Sequence, residues 1–571
     1  MPDAIRIERD VEMKARDGVI LRADIVRPER PDRVPAIVCR TPYDKALRLA
    51  SYAHLRAFDA AANGFAVVFQ DIRGRFASDG DWALMGWDQV ERADGYDCVE
   101  WVAGEPWCDG RVGMMGGSYE ALNALAAAEA RPPSLRAIAP ALVGSANARM
   151  TTRMLEGVVL SWSALIAIDV IEKRAARGQV DGADMGKAMG ALVDPARIAT
   201  TLPLDDLPPL TIPGMPSFRE LTERLMASSA TVTADLDQIE VPALWTTGWW
   251  DQAGGSDLFR EVRARGATSA AREMSRLIVG PWSHTQHDVH LGDLGFGQLA
   301  SLQGGGIGAA HIDFFTRHLG AAADPSPPTV RYFLTGTNAW RDDVDWPPPS
   351  GVATPLYLHS DGALLTRAPE ATAASDHYVY DPADPVPSIG FRALNLGGST
   401  VPGPFDQRRV ESRGDVLVYT SAALDTTVEV VGDPAVELFV STDAPDTDFV
   451  AKLCDVDSHG ISRNIADGLV RLCWSDDGRQ PREVAAGDVV PVTIALGLVG
   501  HAFLPGHRIR LQVTSSAFPH FDRNLNTGNP PGSETAGMPA KQAVYRCQGS
   551  ASRLMLPVLT GRVDQGDRDA R

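Results

Sequence analysis

The chain has 571 residues, enough for roughly two to four domains with large cores. With 44% apolar and 22% charged residues it has the composition of a globular chain, and its net charge of −19 disfavours nucleic acid and anionic membrane as partners. No run of 18 apolar residues offers a membrane span, the first ten residues hold no apolar signal region, and the six cysteines form no CxxC pair, so free thiols and a cytoplasmic setting are expected.

Asp17-Gly18 predicts a hairpin turn within residues 1–30. Continuous apolar runs at 34–39, 65–69, 111–115 and 137–140 predict buried strands. Helical segments at 46–62 and 94–102 alternate with them, and another follows Ser118. Strands of that kind alternating with helices imply a parallel sheet covered on both faces. Residues 145–239 change texture: a helix from Arg149 to Arg177, a proline-rich stretch, and more helix to about Ser229. This predicts a helical cap inserted into the sheet domain. The sheet resumes with strands at 241–247 and 276–279, and Val330–Leu334 is expected to be its last strand. From 353 onward short alternating strands separated by Gly, Asp and Pro predict an antiparallel sandwich of jelly-roll type, with a charged, frayed tail from Gly561. The expected domains are therefore 1–144 and 240–352 for the two parts of the α/β unit, 145–239 for the cap and 353–571 for the sandwich.

The segment Gly113-Met-Met-Gly-Gly-Ser118-Tyr119 runs from a strand through two glycines and a serine into an alanine-rich helix. So abrupt a turn holds the serine in a strained conformation and lifts its hydroxyl above the sheet edge, as in a nucleophile elbow. Glu120 and Ala121 stand where the usual pattern ends in glycine. The turn also aims the backbone N–H of Tyr119 toward any anion formed beside Ser118. An α/β-hydrolase sheet takes its acid and its histidine from later strand ends, in that order. Asp251 directly follows one apolar strand and His284 the next. A serine hydroxyl needs an adjacent base to attack a carbonyl, and the base needs an acid to fix its tautomer. Asp257 is a rival acid but falls inside a predicted helix. His284, His287 and His290, with Asp288 and Asp293, have the residue types of a metal site, yet no His-Glu-x-x-His helix supports one. No metal is expected there, and His287 and His290 are read as surface-loop residues.

The set Arg40-Thr-Pro-Tyr-Asp-Lys45, Asp71-Ile-Arg-Gly74, Trp107-Cys-Asp-Gly110, Gly117-Ser-Tyr119, Gly248-Trp-Trp-Asp251 and Gly280-Pro-Trp-Ser-His284 resembles the bacterial cocaine esterase-like branch of the X-Pro dipeptidyl-peptidase-like hydrolases. The likeness continues in Asp381–Pro387, Asp446-Thr-Asp-Phe449, Leu504-Pro-Gly-His-Arg508 and Phe518-Pro519, and so spans almost the whole chain. The resemblance implies an α/β-hydrolase domain with an inserted helical cap and a C-terminal all-β jelly-roll sandwich. It also implies an oxyanion hole made by the Tyr43 hydroxyl and the Tyr119 amide. It places Trp162 in the acyl pocket and Leu394 in the loop expected to add to it; Trp249 and Trp250 flank the acid, and Trp250 is taken as the one that faces the substrate. Ala253 and the run Ala393-Leu-Asn395 replace aromatics of the cocaine-type pattern, which implies a reshaped pocket. Asp71 and Arg73 are expected to pair, Trp107 to pack under the elbow, and Asp446, Asp448 and His507 to pin the sandwich to the hydrolase domain.

The resulting expectation is a cofactor-free serine carboxylester hydrolase acting on a small-molecule ester, with Ser118, Asp251 and His284 as its triad. The alternative with the same triad cleaves X-Pro dipeptides, α-amino acid esters or β-lactam side chains, using Glu120 and Glu156 to hold an ammonium. A third, non-enzymatic alternative is a carbohydrate-binding sandwich on an inactive scaffold. Monomer and homodimer both remain open.

Overall fold

The computed structural model describes residues 4–84, 89–144, 154–179, 181–251, 255–320, 328–392, 394, 401–474, 482–530 and 532–560, with 227–234 described by backbone only. The predicted start of the cap helix at Arg149, the tail from Gly561, and Ala253, Ala393 and Asn395 lie outside the described residues.

The N-terminal hairpin is β1 (Ile5–Lys14) with β2 (Ile20–Pro28), turned at Gly18, whose φ of 91° suits glycine. Strands β3 (Val34–Thr41), β4 (Ala66–Asp71), β5 (Cys108–Gly117), β6 (Leu135–Ala141), β7 (Leu244–Trp250) and β8 (Arg276–Ser283) are the predicted parallel strands. All are almost wholly buried, which is why they read as unbroken apolar runs. A short ribbon of β9 (His290–Leu291) and β10 (Leu294–Gly295) follows. The sheet closes with β11 (Val330–Leu334), parallel to β8, and β12 (Ala339–Asp343). Its strand order is 1-2-4-3-5-6-7-8-11-12. The prediction of β11 as the last strand is corrected by β12, which folds back through a tight turn with φ 88° at Gly336 and 53° at Asn338.

Helices cover the sheet. The predicted single helix over 46–62 is two, α1 (Lys45–Ser51) and α2 (Ala57–Ala62), broken where Tyr52 turns extended. Helix α3 is Val90–Gly104, and α4 (Tyr119–Glu129) follows Ser118 with no intervening residue. That junction requires close packing: a Cβ on Gly116 would sit 2.4 Å from the Glu120 carbonyl carbon. Gly116→Ala is expected to cost about 1–3 kcal/mol of stability through overpacking, read from urea unfolding. A variant as stable as the parent would show that strand and helix can separate.

Between β6 and β7 the described chain is helical, as the cap prediction required. A π-helical turn over Leu155–Trp162 runs into the helix Ser163–Ala176. Buried Arg75 anchors this cap: it donates to the Ile166 carbonyl and pairs with Asp169 at 3.2 Å, while its Nε reaches the Pro42 carbonyl. After β13 (Gly351–Leu358) the chain is β-rich, with a ten-stranded and a four-stranded sheet enclosing their own apolar core.

Three structural expectations are corrected. Asp71 does not pair with Arg73; its carboxylate accepts from the amides of Lys45 (2.7 Å) and Ala77 (3.1 Å), and Arg73 pairs with Asp94 and Asp17. Trp107 lies at the start of β5, the opposite end from the elbow, with Arg27 over its ring. Asp446, Asp448 and His507 tie parts of the C-terminal unit to one another through Asn524, Arg471 and Asp455. Hydrogen bonds to the α/β unit come instead from Gly500, His501 and Ala502, all to Thr335, and from Pro404 and Asp406 to Asp293. All six cysteines are free. Among the described residues no helix is long and apolar enough to cross a membrane.

Candidate active site

Ser118 has φ 61° and ψ −122°, a positive φ that a non-glycine residue holds only when its surroundings enforce it. Here the enforcement is the strand-to-helix turn itself, with the Ser118 amide bound to the Ala141 carbonyl of neighbouring β6 at 2.9 Å. Two strands along, Asp251 follows the end of β7, and His284 follows the end of the adjacent strand β8. Their side chains meet: Nδ1 of His284 lies 2.8 Å from Oδ1 of Asp251, whose other oxygen accepts from Thr247 Oγ1 at 3.3 Å. Asp251 is buried. Asp257, the rival acid, sits in the first turn of the helix Ser256–Arg265. The Asp251 contact leaves Nε2 of His284 as the nitrogen available to react.

Ser118, His284, Tyr43, Trp162 and Leu394 all line one cavity of about 460 Å³, a size that suits a small-molecule substrate. Among the described residues no hydrogen bond joins Ser118 and His284; such bonds often tighten only when substrate binds. The Tyr43 hydroxyl accepts from Trp162 Nε1 at 3.0 Å and lines the same cavity as Ser118. Burial pushes its pKa up to about 12, with the Trp162 donor acting the other way, so the hydroxyl keeps its proton at neutral pH. Trp162 therefore has two positions at once, in the cavity wall and on Tyr43. Tyr119 contributes the first amide of α4. Leu394 reaches the wall over Gly157, where a Cβ would stand 3.0 Å from the Leu394 carbonyl oxygen.

Trp250 is a correction. It is still within β7, is buried, and packs on Phe296 with ring centroids 5.6 Å apart, away from the described wall. The ammonium-binding roles expected of Glu120 and Glu156 also find no support. Glu120 is buried on Arg48, and neither carboxylate lines the cavity. The sequence reading missed the wall supplied by α1 and the break after it, namely Leu47, Arg48, Tyr52 and His54. The i, i+1 and i+4 placement of Leu47, Arg48 and Ser51 behind Tyr43 was the available signal.

His287 is not a surface-loop residue. Its ring stacks edge-on against His54 at 5.1 Å, and His54 lies 6.1 Å from His311. Burial drives the pKa of His287 and of His311 down to about 4, and holds that of His54 well below 6.5. These imidazoles are neutral when folded but take up protons near 6.5 when unfolded. Their contribution to stability is present above pH 6.5 and is lost as pH falls toward 4. Melting temperature should therefore fall across that window, with a smaller fall in His311→Gln; an equal fall in both proteins would contradict the assignment. Among the described residues no group of three or more His, Cys, Asp or Glu side chains is placed to hold a metal ion.

A strained serine between strand and helix, with a histidine–aspartate pair at later strand ends, defines a serine hydrolase of the α/β-hydrolase class. The chain belongs to the X-Pro dipeptidyl-peptidase (S15) family: that family's profile matches residues 17–286, and the profile of the X-Pro dipeptidyl-peptidase C-terminal non-catalytic domain matches 323–555. It is 36% identical over 577 aligned residues to the cocaine esterase of Rhodococcus sp. (strain MB1 Bresler), covering 97% of this chain and 98% of that protein. Among solved structures, an aminopeptidase from a marine sediment Thaumarchaeota archaeon is similar at a TM-score of 0.76 and 25% identity, over 98% of this chain and 97% of that one. An α-amino acid ester hydrolase shares the fold at the same TM-score and coverage with 24% identity.

Proposed function

We propose that this serine hydrolase is a carboxylester hydrolase in which Ser118 is the nucleophile, His284 the base and Asp251 the group that orients it. The observation that carries the reading is the 2.8 Å bond between Asp251 and His284, on the same cavity as the strained Ser118. As Ser118 Oγ attacks the ester carbonyl carbon, Nε2 of His284 takes its proton. The carbonyl oxygen becomes an oxyanion, bound by the Tyr43 hydroxyl and the Tyr119 amide. His284 then gives the proton to the leaving oxygen, the C–O bond breaks, and an alcohol departs from the acyl-enzyme. Water, deprotonated by the same imidazole, releases the acid and restores Ser118. No cofactor enters this scheme.

The apolar wall, with Trp162, Leu142, Leu165 and Leu394, suits a small apolar or aromatic acyl group. Cleavage of X-Pro dipeptides or α-amino acid esters calls for carboxylates facing a substrate ammonium. Here the wall carries the cation Arg48, and its carboxylate Asp44 already caps α1. The similarity to an esterase supports the same choice. The test compares kcat/KM for p-nitrophenyl esters of butyric and benzoic acid with that for Ala-Pro-p-nitroanilide. The esters are expected to be turned over faster, and a faster anilide would overturn the reading.

A further inference from the structure

Glu120, two residues beyond Ser118, is fully buried and accepts four hydrogen bonds from three elements. Its Oε2 takes the amide of Gly117, the residue before Ser118, at 3.3 Å, and Nη2 of Arg48 at 2.8 Å. Its Oε1 takes Arg48 Nε at 2.5 Å and the Thr41 hydroxyl at 2.8 Å. Thr41 has one hydroxyl proton, and it goes to Glu120. The lone pairs of the same oxygen accept the amide of Tyr43 at 3.0 Å. A continuous path thus runs from the elbow backbone through one carboxylate and one hydroxyl to the backbone of Tyr43. The Arg48 guanidinium pairs with the carboxylate in a forked contact and offsets its charge where water cannot.

The path joins groups that must keep a fixed mutual geometry. The elbow carries Ser118 and the Tyr119 amide, while the loop after β3 carries the Tyr43 hydroxyl. These are the nucleophile and both donors of the proposed oxyanion hole, and they come from strands that lie side by side in the sheet. The β3–β5 ladder and the Asn123 Nδ2 bond to the Arg40 carbonyl at 3.0 Å hold the strands together, and the Glu120–Thr41 path carries that tie on to Tyr43. An ionised carboxylate accepts only, so it fixes the direction of the Thr41 proton and, through it, the position of Tyr43. Displacing a positioned group by about 1 Å can cost about 10²-fold in rate.

We propose that Glu120 and Thr41 are positioning residues that lock the two halves of the oxyanion hole into register, with Arg48 as the counter-ion. The proposal rests on the hydrolase reading given above and goes beyond it. Thr41→Val removes the relay while keeping side-chain shape. It is expected to lower kcat for a p-nitrophenyl ester by about 10²-fold, with little change in KM and a modest fall in melting temperature, because Glu120 and the Tyr43 amide each lose a partner. Thr41→Ser restores the hydroxyl and should recover most of the kcat. Because Thr41 acts through Tyr43, adding Thr41→Val to Tyr43→Phe should have little further effect; a merely structural role would give the two losses in full.

Wild-type turnover that disappears in Ser118→Ala establishes the parent reading independently, and turnover that survives Ser118→Ala overturns both. Loss in Ser118→Ala, together with wild-type kcat in Thr41→Val or full additivity with Tyr43→Phe, overturns the lock alone. If Thr41→Val does not fold, Thr41→Ala, which puts no methyl group in the place of the hydroxyl, is judged by the same outcomes.

Discussion

Ser118→Ala is expected to lower kcat for a p-nitrophenyl ester by about 10⁴–10⁶-fold, with KM and melting temperature close to the parent's. The size follows from the chemistry: without Oγ no acyl-enzyme forms, and what remains is water attack aided by the oxyanion donors. The fold should tolerate the change, because alanine removes one atom and the turn is held by backbone contacts such as Ser118 N to Ala141 O. A variant retaining a tenth or more of the parent's kcat would mean that another group is the nucleophile.

Asp251→Asn should be nearly as damaging, at about 10⁴-fold in kcat near neutral pH. Asp251 accepts at His284 Nδ1 and so holds the ring proton there, leaving Nε2 as the acceptor facing the cavity. An asparagine amide can donate to Nδ1 instead, which puts the proton on Nε2 and removes the base. KM should change little, because Asp251 is buried and does not line the cavity. Steady-state kinetics with the same ester tests this, and a loss below tenfold would show that the imidazole is oriented by something else.

Much of the site was legible because its parts sit at punctuation marks in the chain. Ser118 stands between an apolar run and an alanine-rich helix, and Asp251 and His284 each close a buried strand. Burial on both faces makes such strands continuous in sequence, so their ends can be found without knowing the sheet order. What periodicity does not carry is direction. Trp250 was expected beside the substrate because it precedes Asp251, but adjacent side chains on a strand face opposite ways, and its ring turns onto Phe296. Asp71 and Arg73 are two residues apart at a bend, and each finds partners from distant segments, Lys45 and Ala77 for one, Asp17 and Asp94 for the other.

His287 shows a second limit. Its neighbours are polar, so the segment reads as exposed, yet the fold brings His54 and Trp282 against its ring. Glu120 shows the converse. Read from the sequence, its carboxylate is a candidate for holding a substrate ammonium in the alternative function. Only the fold brings Arg48 and Thr41 to it and makes it the junction between elbow and loop.

The account stands most directly on the reactivity of one hydroxyl. Incubation with a fluorophosphonate, followed by intact mass and peptide mapping, should show one phosphonyl group per chain, carried by Ser118, with the rate of labelling much reduced in His284→Ala. No adduct on the active protein, or an adduct on a different residue, would contradict it.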